Sequence, residues 1–238
     1  MVFTVGILET GLTPPELIDE HNSYGNMFIK LLGAIDPTLK FKTYCVIEGE
    51  FPEFVYDCDG WVITGSRHGV YENLPWMQRL KDFLHDCQRC NKKIVGICFG
   101  HQILAEAMGG KVEKSTKGWG IGPHTYNLNE HVACIEGERD SFTINALHQD
   151  QVVFLPPSAA VLASSDFCEY AGLRYGDWAM SLQSHPEFSD AYEMALIHLR
   201  RESLFSDELA DDALEKLSNT ENINEGQRIA SWMVSFLK

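Results

Sequence analysis

Basic residues are scarce in this chain of 238 residues. Its 19 lysines and arginines stand against 34 aspartates and glutamates, which gives a formal net charge of −15. Such a charge repels nucleic acid and anionic lipid, and no Lys/Arg cluster is long enough to form a local basic patch. We therefore expect no nucleic-acid partner and no membrane partner, and we expect a small neutral or zwitterionic substrate.

Long hydrophobic runs are also missing. No apolar segment approaches the roughly 20 residues that cross a bilayer, and the N-terminal stretch MVFTVGILET has neither a basic lead nor a cleavage-site pattern. These absences predict a soluble, cytoplasmic protein. A chain of this length can bury most of its apolar surface in one core, so we expect a single domain over residues 1–238.

The sequence has no regular arrangement of metal-binding or phosphate-binding residues. Its seven cysteines are an odd number at irregular spacing, which predicts free thiols in a reducing compartment and no disulfide framework. Cys87 and Cys90 form a CxxC, but no second Cys or His pair stands at zinc-site spacing. No GxxxxGK[ST] loop is present, so we expect no ATP site, no metal and no cofactor.

The order of apolar segments predicts an α/β fold. Runs rich in β-branched and aromatic residues occur at 2–8, 41–47, 60–65 and 93–98, and helical patterns occur at 22–35 and 75–89. Nearly continuous apolar strands favour an open, mainly parallel sheet with helices on both faces. Shorter strand-like pieces after residue 110 predict a small antiparallel addition, and a helical C-terminal extension follows from about 189 to 238.

One cysteine stands at a junction between a predicted strand and a predicted helix. In KKIVGICFGHQILAEAMGG, residues 92–110, Cys98 lies between Gly96 and Gly100. This GxCxG pattern is typical of a nucleophile elbow, in which a sharp turn presents one side chain at the carboxyl end of a strand. The helix dipole at that position favours a thiolate. A core cysteine in an ordinary strand-to-helix turn is the alternative.

A partner for proton transfer occurs in QSHPEF, residues 183–188. His185 and Glu187 are two residues apart, so they share a face if the preceding strand continues through them. The carboxylate then orients the imidazole and stabilises its charged form. With Cys98, these residues predict a Cys-His-Glu triad.

A second strand end provides candidate donors for an oxyanion. In GWVITGSRHGVYEN, residues 60–73, Gly65 and Ser66 follow the strand, where a glycine backbone can approach a substrate closely. The N–H groups of Gly65 and of Phe99, the residue after the nucleophile, predict a hole with two donors.

Five motifs together resemble the class I (triad-type) glutamine amidotransferases, and the similarity extends from about Phe3 to Phe188. The motifs are TGSRHGVYEN, GICFGHQILAEAMGG, GWGIG, LHQDQV and SHPEF. The combination of CFGHQ with KGWGIG is most similar to the stand-alone, γ-glutamyl peptidase members. The resemblance implies that Cys98 is the nucleophile, His185 the general base and acid, and Glu187 its orienting partner.

The same resemblance implies a flavodoxin-like fold and a pocket for glutamine or a γ-glutamyl compound. Gln102, Ser66 and His148 match positions that bind the substrate, and His101 is interpreted as a helix-packing residue. The segment SRHGVY departs from biosynthetic members, which often have proline after their glycine pair.

Three functions remain open at this stage. The first is the glutaminase half of an amidotransferase whose synthase is a separate chain. The second is a self-sufficient γ-glutamyl peptidase, and the third is a catalytically silent binding module.

Overall fold

The computed structural model describes residues 2–129, 139–219 and 224–238. The strands within these residues are β1 (Thr4–Leu8), β2 (Lys40–Tyr44), β3 (Gly60–Ile63), β4 (Lys93–Ile97), β5 (Lys111–Lys114), β6 (Gly120–Leu128), β7 (Ser141–His148), β8 (Asp150–Phe154), β9 (Ala160–Ser164), β10 (Gly172–Tyr175) and β11 (Ala179–Leu182). The helices are α1 (Pro15–His21), α2 (Tyr24–Ile35), α3 (Pro75–Arg89), α4 (Phe99–Ala107), α5 (Asp190–Arg200), α6 (Asp207–Ser218) and α7 (Gly226–Leu237).

Nine strands form one sheet in the order β2-β1-β3-β4-β11-β10-β9-β6-β7. The strands from β2 to β11 are parallel to one another, and the strands from β10 to β7 continue the same sheet in antiparallel pairs. Strands β5 and β8 pair antiparallel in a separate, smaller sheet. The predicted fold class is confirmed, and the antiparallel part includes four of the nine strands of the large sheet as well as the small sheet.

Helices cover both faces of the sheet. Helices α2 and α7 pack on one face, where Phe28 and Trp232 join Val62 and Val95 in a buried cluster. Helices α3 and α4 pack on the other face with Trp61. Neighbouring residues of β3 thus point to opposite faces and are both buried, which explains the nearly continuous apolar runs in the sequence.

Most predicted elements lie where the sequence patterns place them. Helix α3 begins at Pro75, as predicted from the preference of proline for the first position of a helix. The apolar run 41–47 differs, because its strand ends at Tyr44 and a 3₁₀ turn follows over Val46–Glu48. The elements that the patterns did not indicate are short. One of them is α1, which has no buried residue and therefore no apolar face that could produce a helical period in the sequence.

None of the described helices is long and apolar enough to cross a membrane. The six cysteines that the structure describes are free thiols. Cys134 lies outside the described residues.

The first test concerns the core that α2 forms with the sheet. Phe28 is fully buried there, so Phe28→Ala removes a large apolar side chain and is expected to lower the free energy of unfolding by about 3–5 kcal/mol. The control is Phe54→Ala, because Phe54 is 60% exposed and its loss is expected to change stability by no more than about 0.5 kcal/mol. Urea unfolding of both variants measures the difference, and equal midpoints would contradict this account of the core.

Candidate active site

Cys98 occupies a strained turn between β4 and α4. Its backbone angles are φ 52° and ψ −102°, a conformation that non-glycine residues rarely adopt. The flanking glycines are needed for close packing: a Cβ on Gly96 would lie 2.5 Å from the Gly100 carbonyl oxygen, and one on Gly100 would lie 2.6 Å from the Ile63 carbonyl oxygen. The geometry is that of a nucleophile elbow, and it differs from an ordinary strand-to-helix turn.

The register of two parallel strands brings the elbow next to the SHPEF segment. Strands β4 and β11 are neighbours, with Ile97 paired to Leu182, and the Cys98 N–H donates to the Leu182 carbonyl at 2.8 Å. Cys98 and His185 therefore leave adjacent strand ends on the same edge of the sheet. This is the edge at which open α/β sheets bind their ligands.

His185 and Glu187 are in direct contact, although the strand does not continue through them. Strand β11 ends at Leu182, and the Phe188 N–H donates back to the His185 carbonyl at 3.3 Å, so the segment is a turn. The expectation of a shared strand face is therefore wrong, while the expected contact is present. His185 Nδ1 lies 2.7 Å from Glu187 Oε1, and both side chains are buried.

Cys98 is close enough to the His185 ring to shift its pKa. Burial lowers the pKa of the imidazole, but the Cys98 thiolate and the Glu187 carboxylate outweigh burial and raise this pKa well above its usual value. Because Nδ1 contacts Glu187, the other ring nitrogen is left for the sulfur. This arrangement favours the charged, imidazolium form of His185.

The His185 ring is held between two neighbours. The Phe188 ring stacks on it with a centroid separation of 3.9 Å and an interplanar angle of 6°. On Gly65, a Cβ would lie 2.8 Å from His185 Cε1 and 3.6 Å from Cys98 Cβ. The structure therefore brings Gly65 beside both side chains, and any larger residue there would displace the imidazole.

The two predicted oxyanion donors, Gly65 and Phe99, lie just after β3 and at the start of α4. Thr10 Oγ1 and Thr64 Oγ1 donate to the Gly65 carbonyl at 3.0 and 3.1 Å, which fixes the peptide at this strand end. The Phe99 N–H is at the start of α4 and has no acceptor among the described residues, whereas the Gly100 N–H donates to the Thr64 carbonyl at 3.2 Å. The roles of Gly65 and Phe99 as oxyanion donors stay a prediction.

The residues predicted to bind substrate differ in the hydrogen bonds that they make within the protein. The hydroxyl of Ser66 accepts a local hydrogen bond from the His68 N–H at 3.3 Å. Gln102 is buried, and its Nε2 donates to protein acceptors, namely the Asp150 carbonyl at 2.9 Å and Gln183 Oε1 at 3.1 Å. The donor group of Gln102 is thus engaged within the protein, and its substrate contact stays a prediction.

Two other histidines near the site are buried and neutral. His148 Nδ1 lies 3.1 Å from the Asp150 carbonyl, its Nε2 has no partner among the described residues, and burial lowers its pKa to about 3. His101 Nδ1 lies 2.8 Å from Ser181 Oγ, and burial likewise lowers its pKa to about 3. His101 is therefore a packing residue, as expected, and it is not placed to act as a second base.

Comparisons with known proteins place the chain in a family. The family description "Glutamine amidotransferase class-I" matches residues 16–198. The chain belongs to the class I glutamine amidotransferase family. Gamma-glutamyl peptidase 3 of Arabidopsis thaliana is 31% identical over 202 residues, which cover 81% of this chain and 80% of the relative.

A more distant relative and a solved structure are also similar to this chain. One component of the glutamine-hydrolyzing GMP synthase of Methanospirillum hungatei is 25% identical over 187 residues, covering 76% of this chain and 90% of that protein. The crystal structure of a glutamine amidotransferase from Thermotoga maritima aligns with a TM-score of 0.80 at 20% identity, covering 100% of this chain and 99% of the other. The last match shows that the class I amidotransferase fold is shared.

Two residues of this amidotransferase domain contact the site without having been predicted. Gln183 Nε2 lies 3.7 Å from Cys98 Sγ, and the Asn145 carbonyl accepts the His185 N–H at 2.8 Å. Gln183 stands in the same QSHPEF segment as His185 and Glu187, and this closeness in sequence could have pointed to it. Asn145 has no such signal, because its contact spans distant strands.

The last glycine of the GWGIG motif, residues 118–122, contacts a buried carboxyl group. Gly122 has φ +80°, and its N–H donates to Glu193 Oε1 at 2.7 Å. Burial raises the pKa of Glu193 to about 8. This contact ties the start of β6 to α5, the helix that follows the SHPEF segment.

A pocket of about 450 Å³ is lined in part by Glu187. It is lined by residues of α1 and α2, by Glu187 and Phe188, and by the start of α7, and it includes neither Cys98 nor Gly65. It is therefore distinct from the space above the sulfur. Within residues 2–129, 139–219 and 224–238, no group of three or more His, Cys, Asp or Glu side chains could hold a metal ion.

The packing of Gly65 against the imidazole can be tested by adding one methyl group. Gly65→Ala places a Cβ 2.8 Å from His185 Cε1, so we expect the ring to move and alkylation of Cys98 by iodoacetamide to slow at least about tenfold. In the control Gly33→Ala the nearest atom is an ordinary 3.8 Å away, and we expect an unchanged rate. Equal rates in the two variants would show that Gly65 does not position the ring.

The charge on His185 can be tested by titration. Since its pKa is raised in the folded state, the charged ring stabilises the fold fully below the unfolded value of about 6.5, and this contribution is lost as the pH rises through the folded value. Glu187→Gln removes one source of the increase, so NMR of the imidazole is expected to show His185 losing its proton at lower pH than in the wild type. His101 serves as the internal control and should remain neutral in both proteins from pH 5 to 9, roughly two units or more above its pKa of about 3.

Proposed function

We propose that this protein hydrolyses the γ-glutamyl amide bond of γ-glutamyl peptides through a thioester on Cys98. The supporting observation is the buried pair of His185 and Glu187, 2.7 Å apart, which lies beside the turn that carries Cys98. The similarity to gamma-glutamyl peptidase 3, at 31% identity over 81% of this chain, supports the choice of substrate. Family membership by itself is consistent with either a hydrolase or an amidotransferase.

The first half of the reaction forms the thioester. The Cys98 thiolate attacks the γ-carbonyl carbon, and the negative charge moves to the carbonyl oxygen, where the N–H groups of Gly65 and Phe99 receive it. Each such donor contributes a few kcal/mol of transition-state stabilisation in known enzymes. The His185 imidazolium then gives its proton to the departing amine, the C–N bond breaks, and a γ-glutamyl thioester remains.

The second half releases glutamate. The imidazole of His185, now neutral, takes a proton from a water molecule, and the resulting hydroxide attacks the thioester carbonyl. The C–S bond breaks and the thiolate returns, again beside an imidazolium. Glu187 keeps the ring orientation through both halves because it contacts Nδ1 and leaves the other nitrogen for the sulfur and the water.

A second candidate function is the glutaminase half of a two-chain amidotransferase. The match to a component of a glutamine-hydrolyzing GMP synthase, at 25% identity over 76% of this chain, favours it. The chemistry is the same, except that the leaving group is ammonia and a separate synthase chain would consume it. Such a domain would be slow alone and faster with its partner.

A substrate panel separates the candidates. The purified protein is expected to cleave γ-glutamyl dipeptides at rates above its rate with glutamine, and Cys98→Ala is expected to lower these rates at least about a thousandfold because no nucleophile remains. Release of the free amine is the measurement. The matched control is Cys58→Ala, which replaces another buried cysteine outside the site and should retain activity.

Three results would count against the proposal. Turnover of glutamine alone, increased by a synthase partner, would favour the second candidate. Wild-type rates in Cys98→Ala would refute the assignment of the nucleophile. Failure of a glutamine-analogue electrophile to modify Cys98 would favour a silent binding module, which is the remaining alternative from the sequence.

A further inference from the structure

A chain of side-chain amides leads from the main chain of β8 to the Cys98 sulfur. Gln102 Nε2 donates to the Asp150 carbonyl at 2.9 Å and to Gln183 Oε1 at 3.1 Å. Gln183 Nε2 in turn lies 3.7 Å from Cys98 Sγ, within the range of a hydrogen bond to sulfur. Both glutamines are buried, and Gln183 is completely inaccessible to solvent. We name this set, Asp150, Gln102, Gln183 and Cys98, the amide relay.

The orientation of each amide in the relay is fixed by its neighbour. A main-chain carbonyl can only accept, so the group of Gln102 that faces Asp150 must be its NH₂. The NH₂ of Gln102 also faces the Gln183 side chain, so Gln183 must present its oxygen there. The NH₂ of Gln183 therefore points to the sulfur, and reversing this amide would bring two donors together at one end and leave no donor for the sulfur at the other.

We propose that Gln183 is a positioning residue that donates an N–H hydrogen bond to the Cys98 thiolate and is held in that orientation by Gln102 and the Asp150 carbonyl. The inference rests on the proposed function, in which the thiolate is the nucleophile. It gives Gln102 a role within the protein, one turn of α4 beyond the nucleophile, in addition to any contact with substrate.

The amide relay gives the sulfur a hydrogen-bond donor that keeps its proton throughout the reaction, which the imidazole does not. His185 must give its proton to the leaving group during the first half of the reaction, whereas a neutral amide keeps its N–H at every step. When the thioester breaks, the sulfur regains its negative charge in a buried site, where a donor to a charged acceptor is more effective than in water. Gln183 is thus expected to stabilise and orient the thiolate both before attack and after release.

The experiment measures the thiolate directly, without substrate. Alkylation of Cys98 by iodoacetamide is followed from pH 5 to 10 by mass spectrometry in the wild type and in Gln183→Leu. Loss of one hydrogen bond to a charged group is expected to raise the pH of half-maximal rate by about one unit and to slow the reaction about tenfold at neutral pH. With a γ-glutamyl dipeptide, kcat is expected to fall about tenfold with little change in KM.

A merely structural role would leave the pH profile unchanged. The matched control is Gln151→Leu, which removes another buried glutamine, one whose Nε2 has no partner among the described residues, and which should keep the wild-type profile. Gln102→Leu is expected to shift the profile in the same direction as Gln183→Leu but by less, because it releases the Gln183 amide without removing it.

Failure of the positioning role and failure of the proposed substrate give different results. A wild-type alkylation profile in a folded Gln183→Leu protein would overturn the positioning role. If circular dichroism shows that this variant does not fold, Gln183→Asn is used, since it keeps a neutral amide but withdraws the NH₂ by one methylene, and a wild-type profile there would likewise overturn the role. If the wild type cleaves no γ-glutamyl compound while the Gln183→Leu profile shifts as expected, the proposed substrate fails and the positioning role stands.

Discussion

The hydrogen bond between the Cys98 N–H and the Leu182 carbonyl, at 2.8 Å, is the constraint on which the site depends. It extends the parallel pairing of β4 and β11 by one residue beyond Ile97, so two chain segments from distant parts of the sequence leave the sheet side by side. The positive φ at Cys98 then turns its side chain toward the segment that carries His185. A slip of one residue between these strands would move the sulfur and the imidazole apart.

Local patterns were enough to predict the α/β architecture and the elbow at Cys98, because strand composition and a glycine on each side of the cysteine act over a few residues. The contact between His185 and Glu187 was also anticipated, but for a reason that does not hold. Pro186 has no N–H to donate to a sheet, and the chain turns there. The turn brings the two side chains together as a continued strand was expected to do.

Other parts of the site could not be predicted, since they depend on contacts between distant residues. The bond between Gln102 and Gln183 joins side chains 81 positions apart, and the stacking of Phe188 on His185 depends on how the turn closes. The histidines also differ in their pKa values, and no sequence pattern indicates this difference. Among the described residues, His101 and His148 have no charged partner, and burial lowers their pKa, whereas Cys98 and Glu187 raise the pKa of His185.

The smaller sheet is linked to Cys98 through the amide relay. Asp150 is the first residue of β8, which pairs with β5 away from the nine-stranded sheet, and its carbonyl is the fixed end of the amide relay. A shift of β8 by about an ångström would exceed the tolerance of that hydrogen bond and free the amide of Gln102 to rotate. On this proposal, the orientation of the Gln183 amide at the sulfur depends on the rigidity of a separate two-stranded sheet.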